Sequence, residues 1–454
     1  MISSILTLLL GACACQPVPA ATPPDARAVA IEPDARYWRG NLHTHTFWSD
    51  GNDFPEMVAA WYASHAYNFL AISDHNVLQQ GLKFKSLKDI DQRSRGKAFD
   101  KYLARYGPEW VETKGSKGDG TLEVRLKPFD EYRSLFERAG QFIMLPAEEI
   151  SAEAANKRTI HINATNLLEF IAPAKGETVV EVIAKTTAAA RAQAARTGRQ
   201  VLIHVNHPNF RWGVTAEDLA AITGDRFFEV WNGHSGVNGQ GEPPRPSTDE
   251  IWDIASTLRM AGFGMPPLLG LATDDSHDYH DDTIGSMPGR GWVMVRAKRL
   301  TPESLIKALH QGDFYSSSGV MLDEVVFDAA TGRLSLRVAT CGDEKFTTRF
   351  IGTRKVANLK GTPRKDKDGK VVETTLDYTL AGTPPIGEVL ASVEGLTPSY
   401  TLKGDELYVR AVVTSTGIPD FPTPINKLKR AWTQPVGWEK SIAPPPVAAP
   451  DAKP

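Results

Sequence analysis

His43 and His45 stand two positions apart in "GNLHTHTFWSDGND", and Asp50 follows five positions after the second. In an extended segment side chains i and i+2 share a face, so the two imidazoles point at one spot. Similar residues recur along the chain. "AISDHN" supplies Asp74 and His75, "LPAEEIS" supplies Glu148 and Glu149, and "TIHIN" supplies His161. "LIHVNHPNF" supplies His204 and His207, "FEVWNGH" supplies Glu229 and His234, and "GLATDDSHD" supplies Asp274, Asp275 and His277. Any one of these histidines is more often a satisfied hydrogen-bonding group than a metal ligand. Gathering so many ionisable groups away from water is costly unless cations compensate, so the joint pattern points to a metal centre. Imidazole with carboxylate and no thiolate is the donor set of Zn²⁺, Mn²⁺ or Fe²⁺. The ligands exceed what one four-coordinate ion takes, so two or three divalent ions are expected. A water between such ions would be acidified toward hydroxide, a nucleophile that needs no activated serine or cysteine. No Gly-x-Ser-x-Gly, phosphate-loop or dinucleotide fingerprint competes with this chemistry.

These residues follow or finish short apolar runs. The predicted strands are 38–42, 69–72, 142–145, 159–162, 201–205, 227–231 and 268–272. Helical patterns lie between them at 54–65, 129–139, 179–196, 215–222, 248–261 and 302–311. Asp53 and Glu56 have capping-box spacing ahead of the first helix, with Pro55 in its first turn. Strand–helix alternation with little polar alternation predicts a parallel α/β sheet or barrel, whose strand C-termini share one mouth. The step from Glu149 to His161 lacks an intervening helix, so the repeat is imperfect.

Residues 78–128 are a charged insertion with a hairpin signal at Lys117–Gly120, expected to be a lid or substrate loop, or else mobile decoration. Beyond residue 320 the β-prone runs 334–339, 371–378 and 406–413 predict a small all-β, sandwich-like domain over 321–440. The Pro/Ala-rich end, 441–454, reads as a disordered tail.

In order and spacing, His43-Thr44-His45 with Ser49-Asp50-Gly51, Asp74-His75, Glu149-Ile150-Ser151, His161, Asn206-His207-Pro208 and Asp275-Ser276-His277 resemble the motifs of the PHP (polymerase and histidinol phosphatase) domain. The resemblance spans about residues 37–320, and the stretch from Gly291 to Val320 looks like the end of its CehA/McbA-type branch. It implies a distorted (β/α)7 barrel and a metal-dependent phosphoesterase, mono- or diester. It also implies a ligand set: His43, His45, Glu149 and Asp275 on one metal; Glu149 bridging to a second with His161 and His207; Asp50, His75 and His277 on a third. The family context selects Glu149 over Glu148 and Asp275 over Asp274. Asp74 and His204 are candidates for orienting a ligand, and His280, Arg290 and Arg211 for meeting an anionic substrate. Residues 37–39 and 314–315 read as packing. A carbamate or carboxylic-ester hydrolase with the same metals, and a non-catalytic cell-surface binding protein, are the alternative readings.

The composition fits a globular protein of 454 residues, 41% hydrophobic, with a net charge of −3 and interleaved signs. That balance gives no electrostatic footprint for nucleic acid, and the resemblance implies a small phosphorylated molecule as substrate. The three cysteines, Cys13, Cys15 and Cys341, exclude both a disulfide scaffold and a thiolate cage. Residues 1–36 begin with an apolar run, Ile5–Leu10, too short to span a bilayer. They read as an export signal, and Leu10-Gly11-Ala12-Cys13 resembles a bacterial lipobox. A lipid anchor on Cys13 in the cell envelope is expected, or otherwise a periplasmic or secreted protein.

Overall fold

The computed structural model describes residues 35–280, 285–340, 342–423 and 427–442. The export segment with Cys13 and Cys15, the residue Cys341, and all of the expected tail but residues 441–442 lie outside the described residues. Among the described residues no helix is long and apolar enough to cross a membrane.

The chain opens with β1 (Arg36–Asn41), α1 (Pro55–Ser64) and β2 (Phe69–Ile72). Phe54, not Asp53, is the N-cap of α1, and its end has no side-chain cap; Asp53 instead accepts from the Phe54 N–H. The expected capping box is therefore absent there. The insertion forms β3 (Lys83–Ser86), α2 (Leu87–Ser94), α3 (Ala98–Tyr106), β4 (Thr113–Lys114) and β5 (Glu123–Leu126). Its strands make a separate sheet, β3-β5-β4, with the expected hairpin joining the last two. Rather than a loose lid, it has its own core: Leu87, Ile90, Phe99, Tyr102, Val124 and Leu126 pack around Phe47, Trp48 and Phe54 from the loop after β1. Lys83 and Arg93 donate to the carbonyls of Trp48 and Asp50, so the insertion braces the turn that carries Asp50.

α4 (Phe129–Tyr132) is one turn where a longer helix was predicted. It precedes β6 (Ile143–Glu153), β7 (Thr159–Thr165), α5 (Val179–Thr197), β8 (Leu202–Val205), α6 (Ala216–Ala221), β9 (Phe227–Asn232), α7 (Thr248–Thr257) and β10 (Leu269–Thr273). Local chemistry sets these ends. Thr178 caps α5 by accepting from the Glu181 N–H, and Gly198 closes it at φ +71°, a left-handed turn that glycine enters without Cβ strain. Thr215 with Asp218 and Ser247 with Glu250 form capping boxes on α6 and α7.

β1, β2 and β6 are parallel neighbours, as are β8, β9 and β10. β7 runs antiparallel to both β6 and β8, which corrects the all-parallel expectation. A link of five residues cannot make the crossover that parallel pairing needs, so the chain folds back as a hairpin. The strand order β10-β9-β8-β7-β6-β2-β1 continues through β11 (Trp292–Ala297) and, after α8 (Pro302–Gln311), β12 (Phe314–Ser317). The predicted barrel is thus not closed by a ladder. Among the described residues, an isolated parallel bridge, Thr44 to Ser276, links the exits of β1 and β10, with His45 N–H to Ser276 O at 2.9 Å and Asp275 N–H to His43 O at 3.1 Å.

Side-chain parity along the strands divides the core. Phe69 and Ala71, Leu145 and Ala147, Leu202, Phe227, and Leu269 with Leu271 share one buried cluster with Leu305 and Leu309 of α8. On the opposite faces, Ile203, Val205, Phe228 and Val230 pack against α5, α6 and α7.

The C-terminal strands are β13 (Leu322–Asp328), β14 (Arg333–Val338), β15 (Phe346–Arg354), β16 (Glu388–Glu394), β17 (Ser399–Thr401), β18 (Glu406–Ser415) and β19 (Arg430–Thr433). β13, β14 and β17 form one sheet. β19, β18, β15 and β16 extend the large sheet from β12, so hydrogen bonding runs unbroken from the site-bearing strands into this region. The predicted strand at 371–378 is not formed; it makes only isolated bridges, Lys365 to Val371 and Thr362 to Asp377. Arg410 of β18 is fully buried against α7, donating through Nε and Nη2 to the Asp253 carboxylate at 2.8 and 2.7 Å. Its guanidinium lies 4.5 Å over the Trp252 ring.

Candidate metal centre

The inner-face parity continues into polar residues at the strand ends: Phe69–Ala71–Ser73, Leu145–Ala147–Glu149, Leu202–His204, Phe227–Glu229 and Leu271–Thr273. His43 and His45 flank the bridge residue Thr44 just beyond β1, and Asp275 and His277 flank its partner Ser276 beyond β10. Asp275 holds φ at +48°, a left-handed conformation that lets the chain turn its carboxylate inward. His161 sits near the beginning of β7, which reaches the same mouth because that strand runs backwards.

The candidate ligands meet around Glu149. The Nε2 atoms of His43 and His45 each lie 3.2 Å from Glu149 Oε2, and 3.2 and 3.1 Å from Asp275 Oδ1. The other Glu149 oxygen, Oε1, is 2.9 Å from His161 Nδ1 and 3.3 Å from His207 Nε2. On the outer side, Asp50 Oδ1 lies 3.4 Å from His277 Nε2 and Oδ2 lies 3.7 Å from His75 Nε2. The His45 ring stacks on His277 at 4.0 Å, and with Nδ1 3.6 Å from Asp50 Oδ1 it belongs to both the outer and the inner group. Donor atoms of His43, His45, Glu149 and Asp275 all fall within 4.8 Å of one another, as do those of His45, Asp50, His75 and His277. All nine expected ligand positions are therefore brought to one mouth.

His43 Nε2, His45 Nε2, Glu149 Oε2 and His161 Nδ1 are buried with no hydrogen-bond partner among the described residues. Buried polar atoms without partners are rare, and here they converge on shared points. That is the donor set and geometry a divalent cation takes. Burial opposes a charge on His43, yet Asp275, Glu149 and Glu229 outweigh it and hold its pKa well above the usual imidazole value. Against the same burial, Glu149 and Asp275 are held well below the usual carboxylate range by the imidazoles around them. Burial also opposes charge on His75 and His277, but Glu149 and Asp50 for the first, and Asp50 and Asp275 for the second, raise each to about 9.

Supporting contacts fix these side chains. Glu229 Oε1 accepts from His43 Nδ1 at 2.7 Å and from Thr273 Oγ1 at 2.8 Å, while Oε2 accepts from the His207 N–H at 2.8 Å. The carboxylate thereby sets the His43 tautomer and aims Nε2 at the centre. Asn232 Nδ2 donates to both Glu229 and Asp275, and Asn206 Nδ2 donates to Glu149 Oε1 at 2.8 Å. His277 Nδ1 donates to the Asp275 carbonyl, leaving Nε2 toward Asp50. Sequence reasoning noted Glu229 without giving it a role; its parity with the buried Phe227 was the available signal.

Other candidates fall elsewhere. His204 faces inward, fully buried, with Nε2 3.4 Å from Glu229 Oε1, so it backs the carboxylate that orients His43. Among the described residues Asp74 makes no direct contact with an imidazole, unlike the expected orienting role. Its oxygens are taken by Thr46, Ser49 and Gln79 at 2.6–3.0 Å, so it holds the turn between His45 and Asp50. Glu148 points to the opposite face, where Oε2 accepts from the Ile171 N–H and burial pushes its pKa up to about 8. Asp274 accepts from the Arg290 and Gly291 N–H groups and from Tyr62, away from the cluster. Arg290 is buried, its guanidinium on the Gly233 and Gly285 carbonyls, and His280 is tied to Asn52 and Asp53, so neither is a free anion contact. Tyr37 packs edge-on to Tyr315, as expected.

No protein-family model and no curated protein matches the chain. Several solved structures show a likeness to it, among them these two. One is a two-domain protein from Bacteroides vulgatus described as containing a predicted PHP-like metal-dependent phosphoesterase. It is 13% identical over 90% of this chain and 98% of its own, with a TM-score of 0.38. The other, from Bifidobacterium adolescentis and provisionally described as a metal-dependent phosphoesterase, is 13% identical over 54% of this chain and 90% of its own, with a TM-score of 0.26.

Proposed function

We propose that the chain is a metal-dependent hydrolase of the PHP type, most concretely a phosphoesterase acting on a small phosphorylated molecule outside the cytoplasm. The observation that carries this reading is the convergence of unpartnered His43 Nε2, His45 Nε2 and Glu149 Oε2 beside Asp275 Oδ1. His43, His45, Glu149 and Asp275 would hold one divalent ion, Glu149 with His161 and His207 a second, and Asp50, His75 and His277 a third. Bound there, Mn²⁺, Zn²⁺ or Fe²⁺ would supply a more acidic water and positive charge opposite the ester oxygens. The protein's own share is orientation. Glu229 fixes His43, Asn206 and Asn232 fix the two central carboxylates, and Asp74 with the insertion fixes the turn that presents Asp50.

Purified protein, its metals quantified, is stripped with chelator and reloaded singly with Mn²⁺, Zn²⁺ or Fe²⁺. It is then assayed on p-nitrophenyl phosphate, bis-p-nitrophenyl phosphate and an aryl carbamate. Turnover of a phosphate ester that chelation abolishes and metal restores is the expected result. Turnover of the carbamate alone would move the chemistry to the carbonyl ester, and no turnover of any ester with any metal would leave the binding-protein reading.

Metal uptake also carries a pH signature. In the metal-free protein His75 and His277, raised to about 9, hold protons at neutral pH, whereas ligation needs them neutral. Loading at pH 7.5 therefore releases protons, and affinity rises with pH up to about 9 and falls as the solution is acidified. Calorimetric titration in buffers of different ionisation enthalpy reads the release directly; heats independent of the buffer would contradict it.

A further inference from the structure

The turn after His207, "NFRWG", places two successive non-glycine residues in the left-handed region, Arg211 at φ +50° and Trp212 at φ +56°. Residues with a Cβ enter that region at a cost, and such strain persists where the surroundings over-determine it. The surroundings here do so. Asn209 Nδ2 donates to the Asn238 and Pro246 carbonyls at 3.1 and 2.9 Å, and the Val214 N–H donates to Pro208 O at 3.0 Å. A Cβ on Gly213 would lie 2.0 Å from Thr159 O, so the turn sits directly on the start of β7, two residues before His161.

The bracing delivers a specific arrangement. The Phe210 ring lies 5.4 Å from the His161 ring and 5.2 Å from that of His207. The Arg211 guanidinium carbon sits 5.3 Å from the Phe210 centroid. Arg211 is exposed, and no hydrogen bond or ion pair holds its guanidinium among the described residues. Arg290, by contrast, has carbonyl partners. A cation with its donors free, stacked on an aromatic ring that itself abuts two candidate ligands, matches the fork that binds two oxygens of a phosphoryl group. A neutral carbonyl ester has no use for it.

We propose that Arg211 is the anion-binding residue of this centre, donating to the non-bridging oxygens of a phosphate group held beside His161 and His207. It rests on the metal-centre reading above and narrows the substrate class to phosphoryl anions.

The probe is inorganic phosphate, titrated calorimetrically into metal-loaded wild type, R211A, R211K and R211G, with metal content and Tm measured on each. The expected result is about a 10-fold or greater weakening of phosphate binding in R211A and R211G, and a smaller loss in R211K. Metal content stays unchanged, and the Tm of R211G is no lower than wild type because glycine relieves the backbone. On p-nitrophenyl phosphate KM rises with little change in kcat, while a neutral aryl ester is unaffected. Equal phosphate affinity in R211A and wild type, no phosphate binding by loaded wild type, or binding lost only together with metal would each overturn the proposal. Arg211-dependent phosphate binding without turnover of any ester would sink the hydrolase reading and keep the anion site. Phosphate-ester turnover indifferent to Arg211 would do the reverse.

Discussion

Glu149→Gln should strip metal from the centre and cut the turnover that depends on it. Both oxygens of Glu149 are committed, Oε1 to the His161 and His207 side and Oε2 to His43, His45 and His75. A glutamine amide offers one oxygen, no charge, and N–H groups aimed at imidazole lone pairs. Removing one partner from a buried charged set costs about 3–5 kcal/mol, or about two to four decades of affinity at roughly 1.4 kcal/mol per decade. The purified variant should lose at least one of the two ions that Glu149 would hold, one through each oxygen, with activity down by about 10³-fold. Glu148→Gln is the control: one position away but on the opposite face, it should keep wild-type metal content. Inductively coupled plasma analysis of both proteins decides; a Glu149→Gln protein as full of metal as wild type refutes the bridging assignment. Glu229→Gln should fall between, at about 10–100-fold weaker metal affinity, as the loss of an orienting carboxylate does elsewhere.

Arg410→Ala should be the most destabilising change outside the metal centre. It leaves Asp253, buried beneath β18, without its cation and removes the stack on Trp252. The expected loss is about 3–5 kcal/mol. At about 2–4 °C per kcal/mol in a large domain, the melting temperature falls by about 6–20 °C. Replacing both members by apolar residues, Arg410→Met with Asp253→Leu, should recover most of that, because the buried charge is then gone and Asp249, the other carboxylate on Arg410, is partly exposed to water. Thermal melts of metal-loaded protein test the pair. A single variant melting within about 2 °C of wild type would show that water reaches Asp253 and solvates it.

The chemistry was legible because the donor residues cluster at the ends of short apolar runs, and those runs form strands at nearly the expected places. Glu149 and Glu148 are separable by parity alone: Leu145 and Ala147 are buried on the inner face, and counting on by two reaches Glu149. The same count from Phe227 reaches Glu229, and from Leu202 reaches His204. Three features resisted. The reversal of β7 was hinted at by the missing helix, but its direction depends on pairing with β6 and β8, which no local pattern encodes. The continuity of the large sheet through β12 and β19 depends on residues more than a hundred positions apart meeting edge to edge. At residues 371–378, β propensity lost to context: the segment makes only the isolated bridges to Thr362 and Lys365, and the Leu376 N–H donates to the Glu217 carboxylate instead of to a strand.

The Thr44–Ser276 bridge has a consequence for what the ions do beyond chemistry. His43 and His45 stand on one bank of that gap and Asp275 and His277 on the other, with a few backbone hydrogen bonds spanning it among the described residues. Any cation gripped from both banks rivets the first strand of the ring to the last, so it is mortar as well as reagent. Stripping it loosens the join at the mouth, and because the sheet continues from β1 through β11 into the C-terminal half, the slackening has a hydrogen-bonded route into the rest of the molecule.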